Sequence, residues 1–180
     1  MKQNALFLTV CFSMFLSPIA LAKTAEDDFQ QGLAAYEKQN YTQAALFMEK
    51  ACNSNKAEAC YNLGYLYRHG QGVPKDINKV VKLYEKSCNG NFVSACMNLG
   101  TLYFMGEEVP TNLPKAKTLF EKACNGNEEH ACSKLGVMYL GIGVEEDIET
   151  AKKYFDKGCR LGDTTACSII QQMNNKQNAK

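Results

Sequence analysis

The sequence has 180 residues, and its 20 Lys and Arg side chains nearly balance its 19 Asp and Glu side chains. A chain with so little net charge lacks the basic surface that attracts nucleic acid, so no nucleic-acid partner is expected. Its nine cysteines indicate disulfide or metal chemistry instead.

The first 22 residues are typical of a secretory signal peptide. Lys2 precedes an apolar segment at 5–16, and the small-residue site Ala20-Leu21-Ala22 predicts cleavage after Ala22. The apolar segment is shorter than the roughly 18 residues of a membrane-spanning helix, so no stable membrane anchor is expected. Removal of Cys11 with the signal peptide leaves eight cysteines, an even number suited to an oxidising compartment. We therefore predict a periplasmic or secreted, extracellular protein.

Pairs of cysteines recur along the rest of the chain. The members of each pair stand eight positions apart, and the first members fall at positions 52, 88, 124 and 159, in steps of 36, 36 and 35. A fixed period of this length is typical of stacked helical repeats. Each pair stands at the junction of two amphipathic runs, after the first run and at the start of the second. We predict that each pair forms a disulfide between the two helices of one repeat: Cys52–Cys60, Cys88–Cys96, Cys124–Cys132 and Cys159–Cys167.

Such a disulfide requires the chain to reverse direction between its cysteines. In one continuous helix they would lie about 12 Å apart along the axis, beyond the limit of about 7 Å for bridging. In the connectors, a Gly or Asn can adopt the left-handed conformation and the following Asn or Asp can cap the next helix. These connectors are Asn53-Ser54-Asn55, Asn89-Gly90-Asn91, Asn125-Gly126-Asn127 and Arg160-Leu161-Gly162-Asp163.

The alternatives to disulfides are eight buried free thiols or a metal site. Zinc ligands usually stand about two to four residues apart or beside histidines. His69 and His130 are the two histidines of the sequence, and they fall in different repeats. Neither a metal nor another cofactor is therefore expected.

The periodicity divides the chain into a signal peptide (1–22), an opening helix (23–39), four repeats (40–175) and a polar tail (176–180). The repeats are predicted at 40–75, 76–111, 112–146 and 147–175. The first helix of each follows a capping residue: Asn40, Asp76, Asn112 or Asp147. The second helix of the first three repeats carries a Gly, at positions 64, 100 and 136. A Gly inside a helix costs about 1 kcal/mol relative to Ala, so its repetition predicts a closely approaching neighbour.

The repeated motifs Ala-Cys-x-Asn-Leu-Gly-x-x-Tyr and Gly-x-Gly-Val-x-x-Asp resemble Sel-one-like repeats, which are related to tetratricopeptide repeats. With paired cysteines and a signal peptide, the chain is similar to the Helicobacter cysteine-rich protein (Hcp) family from about Gln30 to Gln172. The resemblance implies an all-α, right-handed superhelical solenoid of disulfide-linked helix pairs. It also implies the activity credited to that family, which is binding of penicillin-type compounds and slow β-lactam hydrolysis.

The residues themselves identify no catalytic site. A serine β-lactamase uses Ser-x-x-Lys with Ser-Asp-Asn and Lys-Thr-Gly elements, and the sequence contains none of these motifs. Ser54 and Ser133 are predicted to be turn or helix-surface residues. We name no nucleophile, and whether the protein is an enzyme stays open.

A concave groove is the better candidate for function, because stacked helix pairs form an extended binding surface. Asn62 and Asn98 recur one repeat apart, and their amides could hydrogen-bond an extended ligand backbone. The favoured alternative is that they bond within the loops between repeats. Lys134 occupies the third equivalent position and weakens the pattern.

Two functional hypotheses remain. The first is a β-lactam-binding protein with weak hydrolytic activity, whose natural ligand is related to cell-wall peptides. The second is a non-catalytic periplasmic or secreted scaffold that binds a peptide or protein in its groove.

Overall fold

The computed structural model describes residues 24–178, with side chains described as far as residue 175. The predicted signal peptide at 1–22 lies outside the described residues. Those residues form nine α-helices and no strand: α1 Ala25–Glu37, α2 Tyr41–Asn53, α3 Ala57–His69, α4 Ile77–Asn89, α5 Val93–Met105, α6 Leu113–Asn125, α7 Glu129–Met138, α8 Ile148–Leu161 and α9 Thr164–Asn178. None of the helices between residues 24 and 178 combines the length and hydropathy that a membrane span requires.

The helices are arranged in two layers that follow chain order. Extensive packing joins helices that are consecutive in the chain. Odd-numbered helices lie side by side, as the hydrogen bond from Asn98 of α5 to Tyr61 of α3 shows. Even-numbered helices form the other layer, where Lys115 Nζ of α6 lies 2.7 Å from Glu85 Oε1 of α4. The predicted all-α solenoid of helix pairs is confirmed.

The starts of the even-numbered helices are capped as predicted. The side-chain oxygens of Asn40, Asp76, Asn112 and Asp147 each accept a hydrogen bond from the backbone N–H three residues later. These bonds satisfy backbone donors that have no partner inside the helix.

The predicted caps of the odd-numbered helices are wrong for three of the four connectors. Asn55, Asn91 and Asn127 adopt the left-handed conformation, with φ of 64°, 65° and 66°. The residue that follows each of them occupies the cap position and makes no side-chain cap hydrogen bond. Asn is used there because it tolerates positive φ better than other non-glycine residues. Asp163 is the exception, and its side chain does cap α9.

The recurring glycines make room for aromatic rings. A methyl group added at Gly64, Gly100 or Gly136 would lie 2.6, 2.7 or 2.9 Å from a ring carbon of the neighbouring even-numbered helix. Those rings belong to Tyr84, Phe120 and Phe155, and all three are fully buried. Close approach of a neighbouring helix is therefore the reason for the repeated glycine, as predicted.

Four disulfides join consecutive helices: Cys52–Cys60, Cys88–Cys96, Cys124–Cys132 and Cys159–Cys167. Their Cα–Cα distances are 4.6 to 4.8 Å, which is within the range of ordinary disulfides. The first three connect α2 to α3, α4 to α5 and α6 to α7, and their cysteines are at most 2% exposed. The fourth connects α8 to α9, and both of its cysteines are partly exposed.

Candidate binding face and tyrosine cavity

The odd-numbered helices present a stripe without charged side chains. Residues three or four apart lie on the same side of a helix, and in α3, α5 and the α7 segment such residues remain half-buried or exposed. None of them is Asp, Glu, Lys or Arg. We call this set the odd-helix face, and it comprises Tyr61, Tyr65, His69, Met97, Thr101, Met105, Ser133, Val137 and Leu140.

A cavity of about 260 Å³ opens at the N-terminal end of this face. Side chains of α1, α2 and α3 line it: Leu33, Tyr36, Met48, Tyr61, Asn62, Tyr65 and Leu66. Its wall is therefore aromatic and aliphatic, with Asn62 contributing an amide. Pockets that enclose whole small molecules start at about 300 Å³. The size of this cavity suits one side chain of a larger ligand.

The two predicted groove amides have different environments. Asn98 Nδ2 donates a hydrogen bond of 3.0 Å to Tyr61 Oη and so links α5 to α3. The side chain of Asn62 lines the cavity and makes no hydrogen bond to any described residue. The expectation that both bond within the loops is wrong for Asn98, because its partner is on a helix. Lys134, at the third equivalent position, places Nζ 5.8 Å from the Phe104 ring centroid.

The hydroxyls of Tyr36 and Tyr84 remain protonated at neutral pH. Burial, followed by the neighbouring Tyr65 and Tyr41 hydroxyls, raises the pKa of Tyr36 above its ordinary value. Beneath the cavity, Tyr84 stacks on Tyr61 with ring centroids 5.5 Å apart. Burial and then Tyr61 raise the pKa of Tyr84 to about 12. The cavity therefore offers the uncharged hydroxyl of Tyr36 and the amide of Asn62 among apolar surface.

Replacing Tyr84 with Phe is expected to leave the protein equally stable or more stable by about 1 kcal/mol. The Tyr84 hydroxyl is buried without a hydrogen-bond partner among the described residues. The Asn98 amide lies close enough to limit the rise in the pKa of Tyr84, but its hydrogen bond is donated to the Tyr61 hydroxyl. Urea unfolding of Tyr84→Phe measures the effect, with Tyr61→Phe as the matched variant that loses a bonded hydroxyl. A loss of stability in Tyr84→Phe would show that its hydroxyl is bonded after all.

A second polar cluster, which the sequence analysis missed, lies where α7 meets the start of α9. Ser133 Oγ donates a hydrogen bond to Asp163 Oδ2. His130 Nδ1 lies 3.4 Å from the same carboxylate oxygen. The sequence signal for this cluster was the spacing of His130 and Ser133, which stand almost one helical turn apart and so lie on the same side of α7. Their partner is about 30 residues away in the next connector, which composition alone does not reveal.

The arrangement of this cluster differs from that of a catalytic triad. In a triad the imidazole lies between the hydroxyl and the carboxylate and accepts the hydroxyl proton. Here the carboxylate of Asp163 lies between Ser133 and His130. Burial acts to raise the pKa of Asp163, but hydrogen bonds from Ser133, the Ala166 N–H, His130 and the Thr165 N–H together lower it. The lowered pKa makes Asp163 a weak base and suits its role as the N-cap of α9.

Within residues 24–178, no group of three His, Cys, Asp or Glu side chains could hold a metal ion.

Comparison with known proteins identifies the repeat. The family model described as Sel1 repeat matches residues 18–56, 57–92, 93–128 and 129–163. Each match after the first begins at an odd-numbered helix, so every matched repeat boundary falls between the two cysteines of a pair. In this division each of the first three disulfides joins two successive repeats. The repeat boundaries predicted from the sequence begin each repeat at an even-numbered helix instead, and they stay a prediction.

Solved structures share the architecture. A Sel1 repeat protein from Oxalobacter formigenes is 29% identical, with a TM-score of 0.77 over 88% of this chain and 66% of that one. The cysteine rich protein B of Helicobacter pylori is 31% identical, with a TM-score of 0.54 over 81% of this chain and 97% of that one.

Curated relatives include beta-lactamase HcpA of Helicobacter pylori strain J99, which is 31% identical over 81 residues. That match covers 44% of this chain and 32% of the relative. The chain spans about a third or less of the length of the curated relatives that it matches. The chain belongs to the Sel1 repeat family and, with its paired cysteines, to the Hcp-like members of that family.

Proposed function

We propose that this chain is a binding scaffold for an extended, uncharged peptide segment of a protein partner. The single observation that carries the proposal is the tyrosine cavity, whose wall contains the amide of Asn62 with no hydrogen-bond partner among the described residues. An amide side chain offers one acceptor and two donors, so it can pair with a peptide group. The surrounding Tyr36, Tyr61 and Tyr65 rings would hold an apolar side chain of the same peptide.

The odd-helix face supports the extended form of the ligand. Beyond the cavity it continues over α5 and the segment after α7 with Met97, Met105 and Leu140. None of its own residues is charged, and Arg68, Glu107 and Glu108 line a pocket beside Thr101 and Met105. Methionine side chains adapt their shape to apolar partners. A peptide lying across the odd-numbered helices would therefore find one aromatic anchor and then a flexible apolar track. A charged side chain placed on the Met97 or Leu140 part of this track would lose hydration.

The proposed setting is the periplasm or the cell exterior. Four disulfides are expected to persist in an oxidising compartment. Disulfides also support a scaffold role, because a rigid binding face loses little conformational freedom when it takes up a peptide.

A matched pair of variants tests the site. Asn62→Ala is expected to weaken binding of a selected peptide by about tenfold, which is about 1.4 kcal/mol, and to change stability by less than about 0.5 kcal/mol. Asn98→Ala is expected to lower the free energy of unfolding by about 1 kcal/mol, because Tyr61 loses its donor, and to retain binding. Peptides selected by phage display on the oxidised protein supply the probe, and fluorescence anisotropy supplies the affinity. Equal affinities of wild type and Asn62→Ala would contradict the proposal.

The second candidate function is β-lactam binding with slow hydrolysis, related to recognition of cell-wall peptides. It is supported by the name of the relative HcpA and by Ser133, whose hydroxyl is held by a carboxylate in this structure. The test is turnover of a chromogenic cephalosporin and labelling by a fluorescent penicillin, for wild type and Ser133→Ala. Turnover or a covalent adduct that disappears in Ser133→Ala would favour this candidate. The absence of both turnover and labelling in the oxidised wild type would exclude this candidate.

A further inference from the structure

The four disulfides differ in their access to solvent. Cys52, Cys60, Cys88, Cys96, Cys124 and Cys132 are at most 2% exposed. Cys159 and Cys167 are both partly exposed. Thiol–disulfide exchange requires a thiolate to reach one sulfur of the disulfide, so access affects its rate.

The position of the fourth disulfide explains its exposure. The earlier disulfides are covered by the helices of the following repeat. At the third, for example, Lys157 Nζ of α8 donates a hydrogen bond of 2.8 Å to the backbone oxygen of Cys124. The fourth disulfide joins α8 to α9, and no described helix packs beyond α9.

α9 packs mainly on α8, and no described helix covers its other side. Among the described side chains of α9, Ala166 is fully buried and packs with Ala151 and Phe155 of α8. Ile169, Ile170 and Met173 are partly buried beside them. At its start, Asp163 caps α9 and accepts the hydrogen bond from Ser133 of α7. The disulfide is the covalent part of this attachment.

We propose that Cys159–Cys167 is a thiol-exchange site and that its reduction by a dithiol releases α9 while the other three disulfides stay oxidised. A thiolate of the dithiol attacks one cysteine sulfur, forms a mixed disulfide and leaves the other cysteine as a thiolate. The second thiol of the reductant then displaces the bound cysteine. The reductant becomes a cyclic disulfide, and two electrons pass to Cys159 and Cys167.

Release of α9 has a structural consequence. It uncovers Ala151 and Phe155, whose counterparts in α6, Ala116 and Phe120, lie under the following helices. Reduction thus opens the C-terminal end of the solenoid and exposes the apolar surface on which another helix can pack. Helices α1–α8 keep their three buried disulfides and remain folded.

Graded reduction of the oxidised protein, which contains eight cysteines without its predicted signal peptide, tests the order in which the disulfides are reduced. Samples are treated with increasing dithiothreitol, quenched with iodoacetamide and mapped by peptide mass spectrometry. The expected result is that Cys159 and Cys167 become alkylated at least about tenfold faster than the other six cysteines. Simultaneous alkylation of all eight, or earlier alkylation of a buried pair, would overturn the proposal.

Hydrogen exchange on the partly reduced protein tests the release itself. Amide protection should fall by at least about tenfold in α9 and stay unchanged in α3 and α5. The variant Cys159→Ala/Cys167→Ala should show the same exchange pattern without reductant. The wild-type experiment does not depend on whether that variant folds. Full protection of α9 after reduction of Cys159–Cys167 would refute its release.

Discussion

Replacing Cys88 and Cys96 with alanine is expected to lower the free energy of unfolding by about 2 to 5 kcal/mol. The disulfide closes a short loop, and the chain-entropy model gives about 2.5 kcal/mol for a loop of this size. Both cysteines are at most 2% exposed, so their loss also leaves unfilled volume between α4 and α5. Urea unfolding followed by far-UV circular dichroism measures the loss.

The effect should extend beyond a local loss of stability. In the division of the chain by the family model, this disulfide joins two successive Sel1 repeats. Repeat arrays unfold as units coupled through their interfaces, so removing an interfacial cross-link should also broaden the transition. The matched control is Cys159→Ala/Cys167→Ala at the partly exposed end, for which a smaller loss is expected. An internal variant as stable as wild type would disprove the cross-linking role.

Gly100→Ala is expected to destabilise the protein by about 1 to 3 kcal/mol, because the added methyl group overpacks the core. That methyl group would lie 2.7 Å from Phe120 Cε1, and Phe120 is fully buried. Helix propensity acts in the opposite direction, since Ala is about 1 kcal/mol more favourable than Gly inside a helix. The sign of the measured change therefore decides which effect dominates.

The control for Gly100→Ala is Thr101→Ala, a substitution at the adjacent residue of α5. Thr101 is half-buried on the odd-helix face and donates a hydrogen bond to the Met97 backbone oxygen within the same helix. Its replacement gains helix propensity and leaves the packing of Gly100 on Phe120 in place, so stability should stay within about 0.5 kcal/mol. Thermal and urea unfolding of both variants provide the comparison. A Gly100→Ala protein at least as stable as wild type would contradict the close packing of α5 on α6.

The repeat period and the cysteine spacing were sufficient to predict the architecture. Cysteines eight apart cannot meet within one helix, so Cys88 and Cys96 had to belong to two helices. Caps such as Asp76 marked where the even-numbered helices begin. The odd-numbered helices were less predictable, because Asn is suited both to capping and to positive φ. At Asn91 the turn requires the left-handed conformation.

The distinction between Asn62 and Asn98 depends on a contact between repeats. Asn98 bonds to the Tyr61 hydroxyl on the preceding odd-numbered helix. Gly32 packs against Met48 as Gly64 packs against Tyr84, so α1 aligns with α3 through these glycines. The residue three before Gly32, equivalent to Tyr61, is then Phe29. Phe29 has no hydroxyl, which explains why Asn62 lacks the bond that Asn98 makes.

The cavity and the attachment of α9 lie at the first and last described helices, where the contacts between helices differ from those of the interior repeats. The opening helix α1 connects to α2 through a shorter link than the one that joins α3 to α4. At the other end, the pairing of Ser133 with Asp163 links residues 30 positions apart. A periodic sequence predicts the regular interior of a solenoid well. Its two ends depend on contacts that do not repeat.

The most direct test of the binding proposal is an amide NMR titration of the oxidised protein with a selected, uncharged peptide. We predict saturable shift changes in α1 and α3, at Leu33, Tyr36, Asn62 and Tyr65, with smaller changes along the odd-helix face in α5 and α7. Asn62→Ala should need about tenfold more peptide to reach the same changes in α3. Shift changes confined to the even-numbered helices or to the Ser133 cluster would contradict the assignment of the cavity as the binding site.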